Sequence, residues 1–283
     1  MTGADGKRAL AGGAMQVEDV VNEVLGELPF PERIGVFSHA NIAHTVLRYQ
    51  LPGERILDFG AGACDKTAVV QKLGFQCTAC DDLGDHWHSL PGVRERILEY
   101  ARRVGIRFLD TPRSVLDLEA ESFDMVMLHD VIEHLHDSPR ELLAGLVGLL
   151  RPGGHLFVTV PNAVNIRKRL AVLGGRTNLP SFEYYFWHPG AWRGHVREYV
   201  RGDLQALARL LGLELRELKS CHNMLHRVPR FLQPLYVGLT ALFPGWRDSW
   251  LLVARKPAGW RPPVALTPQE FDARFGGACT KGL

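Results

Sequence analysis

The stretch Ile56-Leu57-Asp58-Phe59-Gly60-Ala61-Gly62-Ala63-Cys64-Asp65 constrains this chain more than any other. It reads as a short apolar strand that ends near an acid and runs into a tight glycine turn. Glycines carry no Cβ, so their backbone N–H groups can approach a ligand closely. A turn of this kind after a first strand is how an α/β sheet grips a nucleotide-like molecule. A dinucleotide fingerprint needs a third glycine three residues after the second. Asp65 holds that place here. The carboxylate of Asp58, just before the turn, would repel a pyrophosphate and attract a ligand that carries an ammonium group.

The residues around the turn alternate between two periodicities. Apolar spacing predicts a helix over Gln16–Leu28, stopped by Pro29 and Pro31, and a second helix from Ser38 through Tyr49. After the Ile56 strand come a helix over Asp65–Leu73, a strand over Phe75–Cys80, a helix over Val93–Val104 and a strand over Ile106–Leu109. A strand over Phe123–Leu128, a helix over Pro139–Leu150, a turn at Pro152-Gly153-Gly154 and a strand over His155–Val160 follow. A helix over Gly202–Leu211 and strands over Leu213–Leu218 and Trp250–Ala254 complete the pattern. Strands that alternate with helices make right-handed βαβ units and a mostly parallel sheet, so the class is α/β. Residues 1–15 are expected as a flexible arm, 16–50 as an N-terminal helical cap, 51–257 as the main domain with a lid at about 161–200, and 258–283 as a tail.

Bulk properties narrow the partners. Hydrophobic residues are 46% and charged residues 23% of the 283, as in an ordinary globular chain. A formal net charge of +2 gives no basic surface for nucleic acid. The five cysteines have no regular spacing, which argues for a reducing compartment. Cys77 and Cys80 have the spacing of a redox or zinc pair, but no second pair accompanies them and they lie in a strand, so buried thiols are expected. No apolar run reaches membrane-spanning length and no signal-peptide core is visible, so the expected location is cytoplasmic.

Ligands of such sheets sit beyond the carboxyl ends of the strands. Asp81-Asp82 follows the second strand, and either carboxylate can accept hydrogen bonds from two ribose hydroxyls. S-adenosylmethionine carries both a ribose and an ammonium group. His129-Asp130-Val131-Ile132-Glu133-His134 follows the fourth strand. On a helical turn Asp130, Glu133 and His134 share one face, so three ligand atoms could converge there.

Four blocks in order resemble the class I S-adenosylmethionine-dependent methyltransferases: ILDFGAGACDKT at 56–67, CDDL at 80–83, FDMVMLHDVIEHLHD at 123–137 and LLRPGGHLFVTVPN at 149–162. Glu133-His134, Pro161-Asn162 and His195-Val196-Arg197-Glu198-Tyr199 are similar to the branch that includes the ubiquinone-biosynthesis O-methyltransferases. The resemblance covers about 56–215. It implies a Rossmann-like seven-stranded, mostly parallel sheet with helices on both faces, its last strand pair antiparallel. It also implies that Asp58, Gly60 and Gly62 line the methionine portion, that Asp81 or Asp82 holds the ribose, and that Asp117-Leu118 borders the adenine. In that branch the places of Asp130, Glu133 and His134 bind a divalent metal. Mg²⁺ prefers oxygen ligands, whereas Mn²⁺ tolerates the imidazole better.

Methyl transfer to oxygen needs positioning and removal of a hydroxyl proton. The histidines placed to take it are His129, which also lies at the donor end, His134 and His195. The crowded aromatics Phe182, Tyr184, Tyr185, Phe186, Trp187 and Trp192 suit stacking on an acceptor ring. A sugar or glycan hydroxyl is the first expectation for the acceptor, with a phenolic or lipid-linked hydroxyl and N-methylation as alternatives. Residues 228–246 read as an amphipathic helix for the domain surface, a homodimer face or a membrane surface. Asp65 in place of the third glycine, and the absence of a Tyr-x-x-x-Lys pair after a strand, weigh against an NAD-linked oxidoreductase.

Overall fold

Seven strands form one sheet in the order β3-β2-β1-β4-β5-β7-β6. They are β1 (Arg55–Phe59), β2 (Gln76–Cys80), β3 (Arg107–Leu109), β4 (Phe123–His129), β5 (Leu150–Pro161), β6 (Glu214–Cys221) and β7 (Ser249–Arg255). The structure is a computed structural model that describes residues 16–30, 37–111, 115 and 117–279. β1 to β5 pair in parallel, and β7 runs antiparallel to both β5 and β6.

Side-chain alternation along each strand divides the core into two layers. On β4, Met125 and Met127 face one layer, Val126 and Leu128 the other. The first layer is covered by α1 (Val17–Glu27), α2 (Phe37–Tyr49), α3 (Asp65–Lys72) and α4 (Val93–Val104). The second is covered by α5 (Pro139–Leu149) and α8 (Arg201–Leu210). Cys77 belongs to the first layer and Cys80 to the second. The two thiols therefore point to opposite faces of the sheet, which keeps them from meeting as a pair, and burial raises the pKa of both.

Between β5 and α8 lie α6 (Ile166–Leu173), whose Asn165 cap accepts from the Lys168 N–H, and the short α7 (Phe182–Phe186). The rest of 161–200 is largely irregular, and residues 192–197 bond to the loops that follow β2 and β4. Three boundaries differ from expectation. β5 begins at Leu150 instead of His155, because Phe123 pairs with Leu150 before a bulge resets the register at Met125 and His155. Residues 228–246 are a broken segment, with α9 confined to Gln233–Leu242 between short 3₁₀ turns. Pro229, Pro234 and Pro244 supply no N–H and fix the breaks. The expected tail carries α10 (Pro268–Cys279), started by a capping box in which Thr267 Oγ1 accepts from the Glu270 N–H and Glu270 Oε2 accepts from the Thr267 N–H. The expected arm at 1–15 lies outside the described residues.

Candidate functional site

The glycine turn closes on itself at the end of β1. The N–H groups of Gly60 and Ala61 donate to the Cys80 carbonyl at 2.8 and 3.1 Å, which ties the turn to β2. Gly60 has φ +77°, and a Cβ there would lie 2.4 Å from Cγ2 of Val131, so no other residue fits. The Gly62 N–H donates to Asp81 Oδ2 at 2.8 Å, and the Leu83 N–H donates to Oδ1 at 2.7 Å. Asp81 is therefore held against the turn, and burial raises its pKa. Asp82 points outward and pairs with Arg193 of the lid at 2.8 Å.

Asp58 is buried on β1, two residues before the first glycine of the turn, and the ends of β1, β2 and β4 beside it form the candidate donor crevice. Its Oδ2 accepts from Thr67 Oγ1 at 2.6 Å, while Oδ1 has no partner. Burial pushes its pKa up to about 6, against the pull of the Thr67 hydroxyl and the Lys66 charge. Such a carboxylate is primed for a cation. Three of the four non-glycine residues with positive φ among those described, Cys64, Leu83 and Asp130, stand at the ends of β1, β2 and β4. Backbone strain is thus gathered around the crevice mouth.

A charged chain supports the rim. His39 Nε2 meets Asp65 Oδ2 at 2.7 Å, and Lys66 Nζ lies 3.6 Å from Asp130 Oδ2. Burial alone would raise the Asp65 pKa, but the His39 hydrogen bond and the Lys66 charge outweigh it and bring it to about 2. Nearby, His129 is buried at the carboxyl end of β4, its Nδ1 at 3.1 Å from Thr159 Oγ1 and its Nε2 without a partner. Burial lowers its pKa well below the usual histidine range, so the ring is neutral.

The 161–200 segment adds a second cluster. Glu133 is fully buried with neither carboxylate oxygen hydrogen-bonded, its Oε1 lying 4.0 Å from His195 Nε2, and burial, with the Asp130 charge, raises its pKa well above normal. His134 Nδ1–H donates to the Arg193 carbonyl at 2.6 Å, and His195 Nδ1–H donates to Glu198 Oε1 at 2.8 Å. Those bonds fix both tautomers and leave both Nε2 lone pairs free. One ligand atom from each of Glu133, His134 and His195 lies within 4.8 Å of the others. Lys168 completes the cluster by pairing with Glu198, and burial with the Arg167 charge lowers its pKa to about 8. His195 also lines a pocket of about 350 Å³ whose other walls include Leu179, Pro180, Phe182, Tyr185 and Trp192.

The sequence pattern of the methyltransferase-domain family matches residues 37–218. The chain is 30% identical over 181 residues to the ubiquinone biosynthesis O-methyltransferase of Xanthomonas campestris pv. campestris, an alignment that takes in 62% of this chain and 70% of the relative. The chain belongs to the class I S-adenosylmethionine-dependent methyltransferases. Solved structures agree on the fold. A SAM-dependent methyltransferase from Aquifex aeolicus superposes with a TM-score of 0.50 at 13% identity, covering 83% of this chain and 97% of that one. The [4+2]-cyclase SpnF superposes with a TM-score of 0.51 at 17% identity, covering 86% and 94%.

S-adenosylmethionine is the cofactor of this methyltransferase, and the crevice fits it. The lone Oδ1 of Asp58 suits an ammonium group, the Gly60 turn leaves its backbone unshielded by a side chain, and Asp81 is a carboxylate held beside that turn. Sequence reasoning left Asp81 and Asp82 equivalent, and the structure separates them. It brings Glu133 and His134 together with His195, while Asp130 faces Lys66. Asp117 is exposed and Leu118 packs on the second core layer, with 112–114 and 116 outside the described residues. Two residues were not anticipated. Thr67 is the hydrogen-bond partner of Asp58, visible in sequence only as a polar residue one turn into α3. His88 is buried with both ring nitrogens unpartnered, and the Asp81 charge acts on it.

Proposed function

We propose that this methyltransferase moves the methyl group of S-adenosylmethionine to a hydroxyl oxygen on a small acceptor with an apolar, phenolic body. The observation that carries this is the pocket lined by Leu179, Pro180, Phe182, Tyr185 and Trp192, with Thr177 and His195 as its other lining residues. Aromatic and aliphatic walls suit a planar ring and offer a sugar few hydrogen-bond partners, so the phenolic alternative is favoured over the glycan first expected. The named O-methyltransferase relative supports transfer to oxygen.

In this reading Asp58 orients the donor through its ammonium, Asp81 takes the ribose, and the unpartnered Nε2 of His129 meets the donor from the end of β4. The acceptor hydroxyl lies against Nε2 of His195, which is neutral at pH 7 because burial lowers its pKa to about 4. The O–H proton passes to that nitrogen, the oxygen forms a bond to the methyl carbon, and the carbon–sulfur bond breaks to leave S-adenosylhomocysteine. A divalent ion held by Glu133, His134 and His195 would instead occupy the lone pair and lower the hydroxyl pKa directly. Two imidazoles and one carboxylate suit Mn²⁺ or Zn²⁺ better than Mg²⁺.

The broken segment at 228–246 supports a lipid-linked acceptor or a membrane surface more than a closed helix packing. Only Tyr236 and Thr240 of α9 are buried, while Phe231 is 81% and Leu235 69% exposed, with Arg227 and Arg230 beside them. The same face would serve a homodimer. No helix among the described residues is long and apolar enough to cross a membrane. The described free cysteines, all buried, suit the reducing, cytoplasmic setting.

Labelled methyl transfer to a panel of alkyl phenols, catechols and monosaccharides tests the reading. Label in the phenols and not in the sugars is the expected result. Label in the sugars alone would overturn it.

A further inference from the structure

The lid crosses the crevice as a strap with two anchors. On the β4 side the Val196 and Arg197 N–H groups donate to the Glu133 carbonyl at 2.7 and 3.2 Å, and His134 and His136 donate to the carbonyls of Arg193 and Trp192 at 2.6 and 2.8 Å. On the β2 side Arg193 reaches the loop between β2 and α4, with Nη2 at 2.8 Å from Asp82 Oδ1 and Nε at 3.3 Å from Asp85 Oδ1. β1 lies between β2 and β4 in the sheet. A segment stitched to both flanking loops must pass above the glycine turn at the end of β1.

The β2 anchor is built for that guanidinium. Asp82 Oδ1 is held in place by the Gly84 N–H at 2.8 Å. A Cβ on Gly84 would come within 2.5 Å of Arg193 Nη1 and 2.9 Å of Asp82 Oδ1, so the ion pair occupies the space a side chain there would take and a methyl group would displace the guanidinium. The backbone of the same residue, Arg193, accepts the hydrogen bond that sets the His134 ring, and His195 follows two residues later.

We propose that Arg193 is a positioning residue that latches the strap over the bound donor and, through the strap, places His134 and His195. The latch makes donor exchange depend on breaking an ion pair. Departure of S-adenosylhomocysteine requires the strap to lift from Asp82 and Asp85, and lifting it also disassembles the acceptor side. Because the strap side chain is 42% exposed and its partners 41% and 53%, the latch is open to screening by salt. This inference rests on the donor lying in the Asp58 crevice.

The test is the dissociation rate of S-adenosylhomocysteine from the full chain, by stopped-flow displacement, at low and high salt. In the wild type the rate should rise with salt. Arg193→Ala should raise it about three- to tenfold at low salt, the span of an exposed ion pair with a second carboxylate, and should remove the salt dependence. Arg193→Lys should restore part of it. Gly84→Ala, which keeps both charges but takes the space of the guanidinium, should also accelerate release. Asp85→Asn should have less effect in the Arg193→Ala background than alone. A rate and salt slope in Arg193→Ala equal to the wild type would overturn the latch. Asp58→Ala separates the two claims: if it leaves product binding intact, the crevice assignment fails, whatever the latch does.

Discussion

The buried carboxylate of Asp58 makes donor affinity a function of pH. In the free protein its pKa is about 6, because burial penalises the charge more than Thr67 and Lys66 favour it. The donor ammonium favours the ionised form, so binding below that pKa must release a proton. Affinity for S-adenosylhomocysteine should hold steady from pH 8 to 7 and fall as pH drops through about 6. At pH 5 only about one molecule in eleven carries the carboxylate, so the dissociation constant should rise roughly tenfold, or about 1.4 kcal/mol. Asp65, at about 2, stays ionised over this range and adds nothing. Asp58 itself does not unfold the protein there. Its raised folded pKa means that the free fold takes up the proton more readily than the unfolded chain, so this group's contribution to stability grows as pH falls. Titration calorimetry at pH 5, 6, 7 and 8 on the wild type and on Asp58→Asn is the assay. The variant should bind about 10- to 100-fold more weakly at pH 8, the worth of a charge-assisted hydrogen bond, and show little of the pH slope. A flat wild-type profile, or the same slope in the variant, would refute the reasoning.

Gly60→Ala combines φ +77° with a Cβ 2.4 Å from Val131 and should cost about 2–4 kcal/mol in urea unfolding. Adding Val131→Ala should recover the steric share only; full recovery would mean that the backbone conformation carries no strain. Trp192→Ala should raise the acceptor KM without changing donor affinity, whereas Trp187→Ala, 74% exposed and outside the pocket, should change neither. After chelation, Mn²⁺ binding followed by electron paramagnetic resonance should disappear in Glu133→Ala and persist in Asp130→Asn, since Asp130 is paired with Lys66. The reverse pattern would restore Asp130 as a ligand. Phe231→Asp should reduce flotation with anionic vesicles; unchanged flotation would remove this face as a lipid contact.

The strands and covering helices were legible because periodicity is a local property. Val93–Val104 and the start of α3 lie where spacing and glycine stops put them. Boundaries slipped where tertiary pairing decides, as at Leu150, whose pairing with Phe123 across a bulge leaves no local signal. In the 228–246 segment the apolar spacing predicts one amphipathic helix, whereas Pro234 and Pro244 set the ends of α9. The Thr267-x-x-Glu270 box was present in the sequence and marks the one helix assigned to the tail. At the candidate site, the placement of Asp58, Gly60, Gly62 and the acidic pair at strand ends was readable because it follows from one strand and its turn. The choice between Asp81 and Asp82 was not, since it depends on which carboxylate meets the Gly62 N–H and which meets Arg193 more than a hundred residues away. The same distance hid His195 as a neighbour of Glu133, which helical spacing grouped with Asp130 instead.

The central claim is that the donor lies between Asp58 and Asp81 beneath the strap. A crystal structure with S-adenosylhomocysteine tests it most directly. The account predicts the ammonium group within hydrogen-bond reach of Asp58 Oδ1 and the ribose hydroxyls on Asp81. A product bound with Asp58 untouched, or with its ribose held by Asp82 in place of Arg193, would contradict it.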